Sequence, residues 1–380
     1  MRTRDLIDVL ERVAPPPLAE EWDNTGLLLG DPDDDLAGPV LLTIDLTMPV
    51  VVEAIENSCS TIVSYHPPIF RPIRSLTPDT PKGRVLLSII GAGMSVYSPH
   101  TALDAVPGGV ADWLLDCCTS DDPGRNATDD RVALRAHQRA EADATYKLVT
   151  FVPESHADKV REALAGTGAG RIGAYSRCSF NISGTGTFFG SESTNPAVGK
   201  KGRPEAIEET RIEMVIGARN LAQAIAALRS AHPYEEPAFD LYALAPKPDM
   251  NSGPGRCATL AGPLDAQSLA QRVKMNLGVP MVKVAQGVGG PTIRRVAVCP
   301  GSGGSLIDAA LEHGCDAFVT GEMTHHDVLA ANDAGLTIIL AGHTDTERGY
   351  LPILAARIKK LAPAVETIVS SADASPFEVI

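Results

Sequence analysis

The sequence predicts an α/β fold with a second, α+β domain inserted into it. Short apolar segments of strand length alternate with helical patterns in both the first and the last third of the chain. Between about residues 145 and 250 the order of elements changes. Side chains of metal-ligating types follow several of the predicted strands. Because alternating strands and helices build βαβ units, we expect a largely parallel sheet outside the insertion.

The bulk composition sets limits on the protein's class. At 380 residues the chain exceeds one ordinary domain. Its net charge of -14 argues against a nucleic-acid partner, since phosphate backbones need a basic surface. No apolar run approaches the roughly 18 residues that span a bilayer, and we expect no membrane partner. The start has no signal-peptide pattern, and the seven cysteines lack CxxC spacing, so we predict a cytoplasmic protein.

In the first third, helical spacing of apolar residues begins near Leu6 and ends at the prolines over 15–17. A turn over 21–26 leads into a short strand. The further predicted strands and helices of this part alternate, with strands over 40–46, 61–65 and 94–97 and helices over 49–57, 85–91 and 110–115. The polar stretch over 119–145 is predicted to be a connector.

The middle of the chain has a different rhythm. We predict a strand, a helix, a hairpin, another strand, a helix and a final strand, over 146–152, 157–164, 176–189, 212–216, 221–228 and 238–243. The hairpin is placed around Gly184. The β-α-β-β-α-β order is that of a ferredoxin-like domain, with one strand to spare. We therefore expect a separate domain over 145–250.

The last third returns to the first pattern. A helix over 266–277 precedes four strands, over 281–284, 294–298, 317–319 and 336–340. The glycine-rich stretch over 301–305 opens a helix that ends at Glu312. This loop could place backbone amides around a phosphate. However, it has neither the P-loop lysine nor GxGxxG spacing, and a tight turn is the preferred interpretation.

Three histidines share one pattern. His66, His100 and His343 each follow a predicted buried strand, and Asp104 and Glu347 lie four residues after the second and third of them. In a parallel sheet such strand ends meet at one edge. A helical turn after His343 would direct Glu347 to the same side, although a simple polar helix start also explains this stretch. A single histidine of this kind is more often a capping or core residue.

Together, His66, Asp104, His343 and Glu347 offer imidazoles and carboxylates without sulfur. Zinc, manganese, iron and cobalt all accept such ligands. A site of this type can acidify water for attack on a carbonyl, formyl or phosphoryl group. No cysteine or serine motif indicates a nucleophile, and the catalytic residues stay unknown. His100, Glu322 and His326 are candidates for orienting the ligands or for acid–base roles.

The chain resembles the Nif-three-like dinuclear metal-centre family, also catalogued as GTP cyclohydrolase I type 2 homologues. The motifs that carry the resemblance are Glu-Trp-Asp-Asn-Thr-Gly at 21–26, Tyr-His-Pro-Pro-Ile-Phe at 65–70, Ser-Pro-His-Thr-Ala-Leu-Asp at 98–104, Gly-Ser-Gly-Gly-Ser at 301–305, Thr-Gly-Glu at 320–322, His-Asp at 326–327 and the stretch from His343 to Glu347. The middle domain, with His-Pro-Tyr-Glu-Glu-Pro at 232–237, resembles the PII/CutA-like insert of the family's longer members.

The resemblance implies two α/β halves, 1–125 and 255–380, around a metal cleft, assembled as a homohexamer. His66, Asp104 and Glu347 would hold one divalent ion, and His343 the other with Glu347 bridging. Zinc is expected first, with manganese or iron as alternatives. Tyr65 stands where the commoner bacterial pattern has a histidine, and a phenol is a poor ligand. We therefore expect one or two metals per chain, with the second site weak or empty.

Two functions remain open from the sequence. The first is a metal-dependent hydrolase of a small nucleotide-like or phosphorylated compound. For this family, the cyclohydrolase label implies opening of the GTP imidazole ring with loss of formate. The second is a non-enzymatic metal-binding or regulatory assembly in which the PII-like insert senses a small anionic ligand. The basic stretch over 200–203 could meet such an anion, or it could be a solvated loop.

Overall fold

The chain forms two compact units. In the computed structural model, one unit comprises Met1–His137 with Asp249–Ile380, and the other comprises Gln138–Pro248. The structure describes residues 1–120, 130–139, 145–288, 290 and 292–378. Most of the predicted connector over 119–145 therefore lies outside the described residues. The second unit overlaps the range over 145–250 that the sequence suggested for an inserted domain.

The described residues contain sixteen strands and eleven α-helices. The strands are β1 (Gly26–Leu29), β2 (Val40–Thr43), β3 (Thr61–Ser64), β4 (Ser95–Ser98), β5 (His137–Arg139), β6 (Tyr146–Pro153), β7 (Phe180–Phe189), β8 (Pro204–Ile216), β9 (Phe239–Ala243), β10 (Lys247–Asp249), β11 (Arg256–Leu264), β12 (Lys283–Ala285), β13 (Ile293–Ser302), β14 (Ala317–Glu322), β15 (Thr337–Leu340) and β16 (Thr367–Val369). The helices are α1 (Thr3–Val13), α2 (Met48–Glu56), α3 (Pro81–Gly91), α4 (His100–Ala105), α5 (Val110–Thr119), α6 (Glu154–Gly166), α7 (Leu221–Ala231), α8 (Ala266–Leu277), α9 (Ile307–Glu312), α10 (His325–Asp333) and α11 (Leu351–Leu361). Within this described part, none of the helices combines the length and apolarity needed to cross a membrane.

The first sheet has the strand order β1-β4-β3-β2-β16. Its central strands β2, β3 and β4 are buried along their whole length and run parallel, while β1 is antiparallel to β4. Such continuous burial is typical of a parallel sheet covered on both faces. The strand β16 was not predicted. It pairs parallel to β2, with Thr367 opposite Val40, so the end of the chain completes a sheet formed by its beginning.

The second sheet has the order β11-β13-β14-β15-β12. Its three central strands are parallel, and both edge strands are antiparallel. The parallel strands that we predicted are therefore present, but they are divided between two sheets that each have at least one antiparallel edge strand. The strand β11 was also missed, because Gly262 and Pro263 interrupt its apolar pattern and read as a strand break.

One large apolar core joins the two sheets of the first unit. It contains residues of β2 and β3 together with residues of β13 and β14. The helix α1 shows how the sequence supplies this core, since Leu6, Val9, Leu10 and Val13 are all buried on one face. Helices α5, α8 and α11 contribute in the same way. The two sheets cannot separate without exposing this shared core.

The second unit has the predicted β-α-β-β-α-β order, in β6, α6, β7, β8, α7 and β9. Its antiparallel sheet has the order β7-β8-β6-β9, and α6 and α7 pack on the same buried cluster. The predicted hairpin around Gly184 was wrong. That glycine lies within β7 opposite Glu209, and the chain turns only after Phe189. The predicted hairpin counted two strands where the structure has only β7, which explains the one extra strand in the prediction.

A buried arginine holds together the junction of β11 and α5. Arg256 is 1% exposed, and its Nε donates to Asp112 Oδ1 at 3.1 Å. Its terminal nitrogens donate to backbone carbonyl oxygens, those of Gly253, Gly255, Ala105, Val106 and Asn251. A buried charge is tolerated only when it is paired and hydrogen-bonded in this way.

We predict that Arg256→Lys lowers the free energy of unfolding of the first unit by about 3 kcal/mol, because the ammonium cannot reach these acceptors and leaves several buried and unpaired. Urea denaturation followed by tryptophan fluorescence measures this, since Trp22 and Trp113 both lie in the first unit. The exposed Arg294 provides the control, and Arg294→Lys should change the value by less than about 0.5 kcal/mol. Equal midpoints for the two variants would contradict the role of Arg256.

Candidate metal centre

Two histidines and a glutamate from opposite ends of the chain meet in the first unit. His66 Nε2 lies 3.5 Å from Glu347 Oε2, and His343 Nε2 lies 3.4 Å from Glu347 Oε1. The two imidazole ring centres are 5.4 Å apart. One ligand atom of each residue lies within 4.8 Å of the others, so the three residues could hold a metal ion. This His66–His343–Glu347 group is the candidate metal centre.

Strand ends position these side chains. His66 follows β3 in the first sheet, and His343 follows β15 in the second. The carboxyl ends of two different sheets therefore meet at the site, instead of sharing an edge of a single sheet as predicted. Each histidine lies just beyond the end of its strand, so its side chain is not confined to either buried face of the sheet.

The segment between His343 and Glu347 is a tight turn. It forms a 3-10 helix over Thr344–Thr346, where the sequence suggested the start of an α-helix. The Thr346 hydroxyl donates to the His343 carbonyl at 2.7 Å and accepts the Gly301 N–H at 2.9 Å. The side chain of Thr346 thus ties this turn to the glycine-rich loop and directs both metal-ligating residues to the same side.

The carboxylate of Glu347 is set up for a cation. Its residue is 2% exposed, and Oε2 has no hydrogen-bond partner among the described residues. Burying a carboxylate oxygen without a partner is costly, and a bound cation would satisfy it. A Cβ on Gly301 would lie 2.7 Å from Glu347 Oε1 and 2.9 Å from His343 Nε2. The glycine therefore keeps the space beside the ligand atoms open.

Two further carboxylates orient the imidazoles. His66 Nδ1 lies 2.9 Å from Asp45 Oδ1, and His343 Nδ1 lies 2.9 Å from Glu322 Oε1. Each histidine can thus donate from Nδ1 and present Nε2 to the centre, as metal-bound histidines commonly do. Glu322 was a predicted candidate. Asp45 was not, although its place at the end of the strand next to the one before His66 was a usable signal.

The charges around His66 favour a cation at its ring. Burial alone would lower the pKa of His66, but the hydrogen bond with Asp45 and the negative charge of Glu347 raise it to about 10. The hydrogen bond from His66 in turn lowers the pKa of Asp45. Two carboxylates therefore stabilise positive charge here, and a divalent ion would compete with a proton for Nε2.

Asp104 and Tyr65 form a pair beside this group. The Tyr65 hydroxyl donates to Asp104 Oδ1 at 2.6 Å. Burial raises the pKa of Asp104 to about 8, with a further contribution from the charge of Glu347, although the hydrogen bond from Tyr65 opposes the rise. Burial and the Asp104 charge raise the pKa of Tyr65 well above its usual value. The three-residue group does not include Asp104, and the phenol serves as a hydrogen-bond donor.

The ring of His100 packs against both Tyr65 and His66. Its ring centre is 5.5 Å from those of both Tyr65 and His66. Its Nδ1 lies 2.6 Å from Asp23 Oδ1, and the Thr101 backbone N–H and hydroxyl donate to Asp23 Oδ2. The φ of His100 is 29°, an unusual value that indicates local backbone strain. Sequence reasoning missed Asp23, although it lies within the motif over 21–26.

The third orienting candidate, His326, lies elsewhere. It is exposed on the first turn of α10, where its ring centre is 5.8 Å from that of His325. It is not a member of the three-residue group. Of the polar residues at the end of β14 and beyond it, Glu322 thus contacts His343, while His326 belongs to the exposed start of the following helix.

Comparisons with known proteins agree with one another. The family model described as Duf34/NIF3 (NGG1p interacting factor 3) matches residues 1–376. A protein named GTP cyclohydrolase 1 type 2 homolog from Halalkalibacterium halodurans is 37% identical over 378 residues, which are 99% of this chain and 98% of the relative. A protein of the same name from Mycobacterium tuberculosis is 37% identical over 328 residues, covering 86% of this chain and 83% of the relative.

Solved structures of similar proteins cover the whole chain. A Bacillus cereus protein related to NIF3 has a TM-score of 0.74 and 32% identity, with 100% of this chain and 99% of the other covered. Staphylococcus aureus protein SA1388 has a TM-score of 0.80 and 28% identity with the same coverage. Because the family model spans almost every residue and full-length relatives exceed 30% identity, the chain belongs to the Duf34/NIF3 (NGG1p interacting factor 3) family.

Proposed function

We propose that the protein is a divalent-metal-dependent hydrolase acting on a small nucleotide-like or phosphorylated compound. The observation that carries this proposal is the buried Glu347 carboxylate, which lies between two imidazoles and has one oxygen without a hydrogen-bond partner among the described residues. Two nitrogens and a carboxylate oxygen suit zinc, with manganese or iron as alternatives. The name of the relatives, GTP cyclohydrolase 1 type 2 homolog, makes GTP the first compound to test.

The residues have separate roles in this proposal. His66, His343 and Glu347 would hold the ion, while Asp45 and Glu322 keep each Nε2 directed at it. When bound, a divalent ion polarises a substrate oxygen and lowers the pKa of water. His100, held at Nδ1 by Asp23, lies beside His66 and is a candidate for acid–base chemistry through Nε2. Asp104 and Tyr65 would line the same side of the centre.

The alternative proposal is a non-enzymatic metal-binding or regulatory assembly. It would be a homohexamer in which the second unit, a PII/CutA-like ferredoxin-like domain, senses a small ligand. The order of elements in that unit supports the domain type. The basic loop over 200–203 gives little support to anion binding, since Arg203 pairs with Glu205 and Lys201 with Glu192. Turnover of a nucleotide would decide against this alternative.

Removing the buried carboxylate should remove metal binding. We predict that zinc added to chelator-treated protein raises its melting temperature, and that Glu347→Gln weakens zinc affinity by about 100-fold or more because it removes the charged ligand of the group. Calorimetric titration and thermal melts measure both effects. The matched control is Glu312→Gln, an exposed position on α9. A zinc response shared by all three proteins would place the ion elsewhere.

Tyr65 should limit the metal content. Because its hydroxyl donates to Asp104, it offers no anionic oxygen to a second ion. We expect one tightly held metal per chain for the wild type and for Tyr65→Phe, and two for Tyr65→His, which supplies an additional imidazole nitrogen. Elemental analysis of protein purified without chelator measures the ratio. Two tightly held metals in each wild-type chain would show that the phenol is no obstacle.

The reaction itself can be tested with GTP. With zinc, manganese or iron supplied, we expect release of formate and formation of dihydroneopterin triphosphate. Glu347→Gln should reduce the rate by about 100-fold or more, while Glu312→Gln leaves it unchanged. Formate is quantified enzymatically and the pterin by fluorescence. Background rates with every metal would remove the cyclohydrolase assignment, and a panel of other nucleotides and phosphorylated compounds would then test the broader hydrolase proposal.

A further inference from the structure

A cavity of about 600 Å³ lies within the second unit, on the face of its sheet opposite the helices. The burial of β8 alternates, so that Ile212, Met214 and Ile216 face the helices while Glu209 and Arg211 face the cavity. Phe151 of β6 and residues of β7 complete its floor. This volume lies in the range of sites that bind small molecules.

Two glycines of β7 leave the floor of the cavity open. Gly184 is paired with Glu209 and Gly186 with Ile207, so both glycines are on the cavity face of the sheet. A Cβ at Gly186 would lie 2.0 Å from Glu209 Oε2, and a Cβ at Gly184 would have no atom within 4 Å. The absence of side chains at these positions leaves space directly beside the Glu209 carboxylate.

Opposite charges stand side by side on this face. Glu209 and Arg211 are two residues apart on β8, which places their backbones about 7 Å apart. Glu209 Oε1 accepts the Tyr234 hydroxyl at 2.7 Å, which fixes the carboxylate. The Arg211 guanidinium carbon lies 5.7 Å from the centre of the Phe151 ring, and its Nε donates to Glu213 at 2.9 Å. Both charged groups are therefore held in place before a ligand arrives.

The walls of the cavity are apolar. They are formed by Phe151, Ile182, Phe188, Val198 and Ala238. Val198 belongs to the loop between β7 and β8, and the same loop is attached to the opposite wall by the Asn195 N–H, which donates to Glu235 Oε1 at 3.1 Å. An apolar group can thus be enclosed between the sheet and this loop, next to the two charges.

From this arrangement we propose that the second unit binds a free apolar α-amino acid. An α-amino acid carries an ammonium and a carboxylate close together, which complements the neighbouring carboxylate of Glu209 and guanidinium of Arg211. The Arg211 guanidinium would donate to the carboxylate, Glu209 would accept hydrogen bonds from the ammonium, and the apolar side chain would contact Phe151, Phe188 and Val198. A ligand with only one of these two charges would interact with only one of the two groups.

Calorimetric titration of the full-length protein tests the ligand class. The probes are L-phenylalanine, L-leucine and L-methionine, together with 3-phenylpropanoate and phenethylamine, which each lack one of the two charges. We expect saturable binding of at least one amino acid with a Kd below about 1 mM. Each single-charge analogue should bind at least about tenfold more weakly than L-phenylalanine if that is the ligand, because it forfeits the charge-assisted hydrogen bonds to one of the two groups.

Four variants locate the binding. Glu209→Gln and Arg211→Gln should each weaken it by about tenfold or more, while Glu208→Gln, on the opposite face of β8, should leave it unchanged. Gly184→Val should abolish it, since the added side chain enters the cavity without meeting neighbouring atoms. Melting curves confirm that this variant folds. The proposal is overturned if none of the three amino acids binds saturably, or if Glu209→Gln and Arg211→Gln bind as the wild type does.

Discussion

The buried carboxylate of Glu347 is the constraint on which the metal centre depends. Burying a carboxylate is costly unless positive charge lies beside it, and the two imidazoles that flank Glu347 form with it a group that could hold a cation. This requirement brings the start and the end of the chain together. The carboxyl ends of two separate sheets must meet, and the core that the two sheets share holds them in this arrangement. A feature that is local in chemistry therefore depends on the packing of the whole first unit.

Several residues other than His66, His343 and Glu347 shape the candidate metal centre. Asp45 and Glu322 orient the histidines, Thr346 fixes the turn, and Gly301 leaves the ligand atoms uncovered. The Tyr65–Asp104 pair adds a hydrogen-bonded group where another imidazole would allow a second ion. Our proposal that the site holds one ion rests on this side chain, whose hydroxyl already has Asp104 as its partner.

The second unit has its own core and its own chemistry. Its helices cover one face of the sheet, and the other face carries a fixed pair of opposite charges above two glycines. The two glycines of β7 bury little apolar surface and leave the backbone exposed, so this part of the strand contributes little to stability. Its composition is therefore better explained by a ligand than by packing. We therefore propose a different ligand for each unit, a cation for the first and a zwitterion for the second.

The sequence by itself determined the elements with strong periodicity and the residue types at strand ends. Buried strands such as β2 and β3, the amphipathic α1 and the order of elements in the second unit follow from local patterns. The positions of His66, His343 and Glu347 after their strands could be predicted in the same way, since only short spacings were needed. Only the tertiary structure decided which long-range partners meet: β16 with β2, Arg256 with Asp112, Asp45 with His66 and Asp23 with His100. The tertiary structure also decided that β7 continues through Gly184 as one strand. Such pairings depend on the packing of segments far apart in the chain, and a local period of apolar residues contains no information about them.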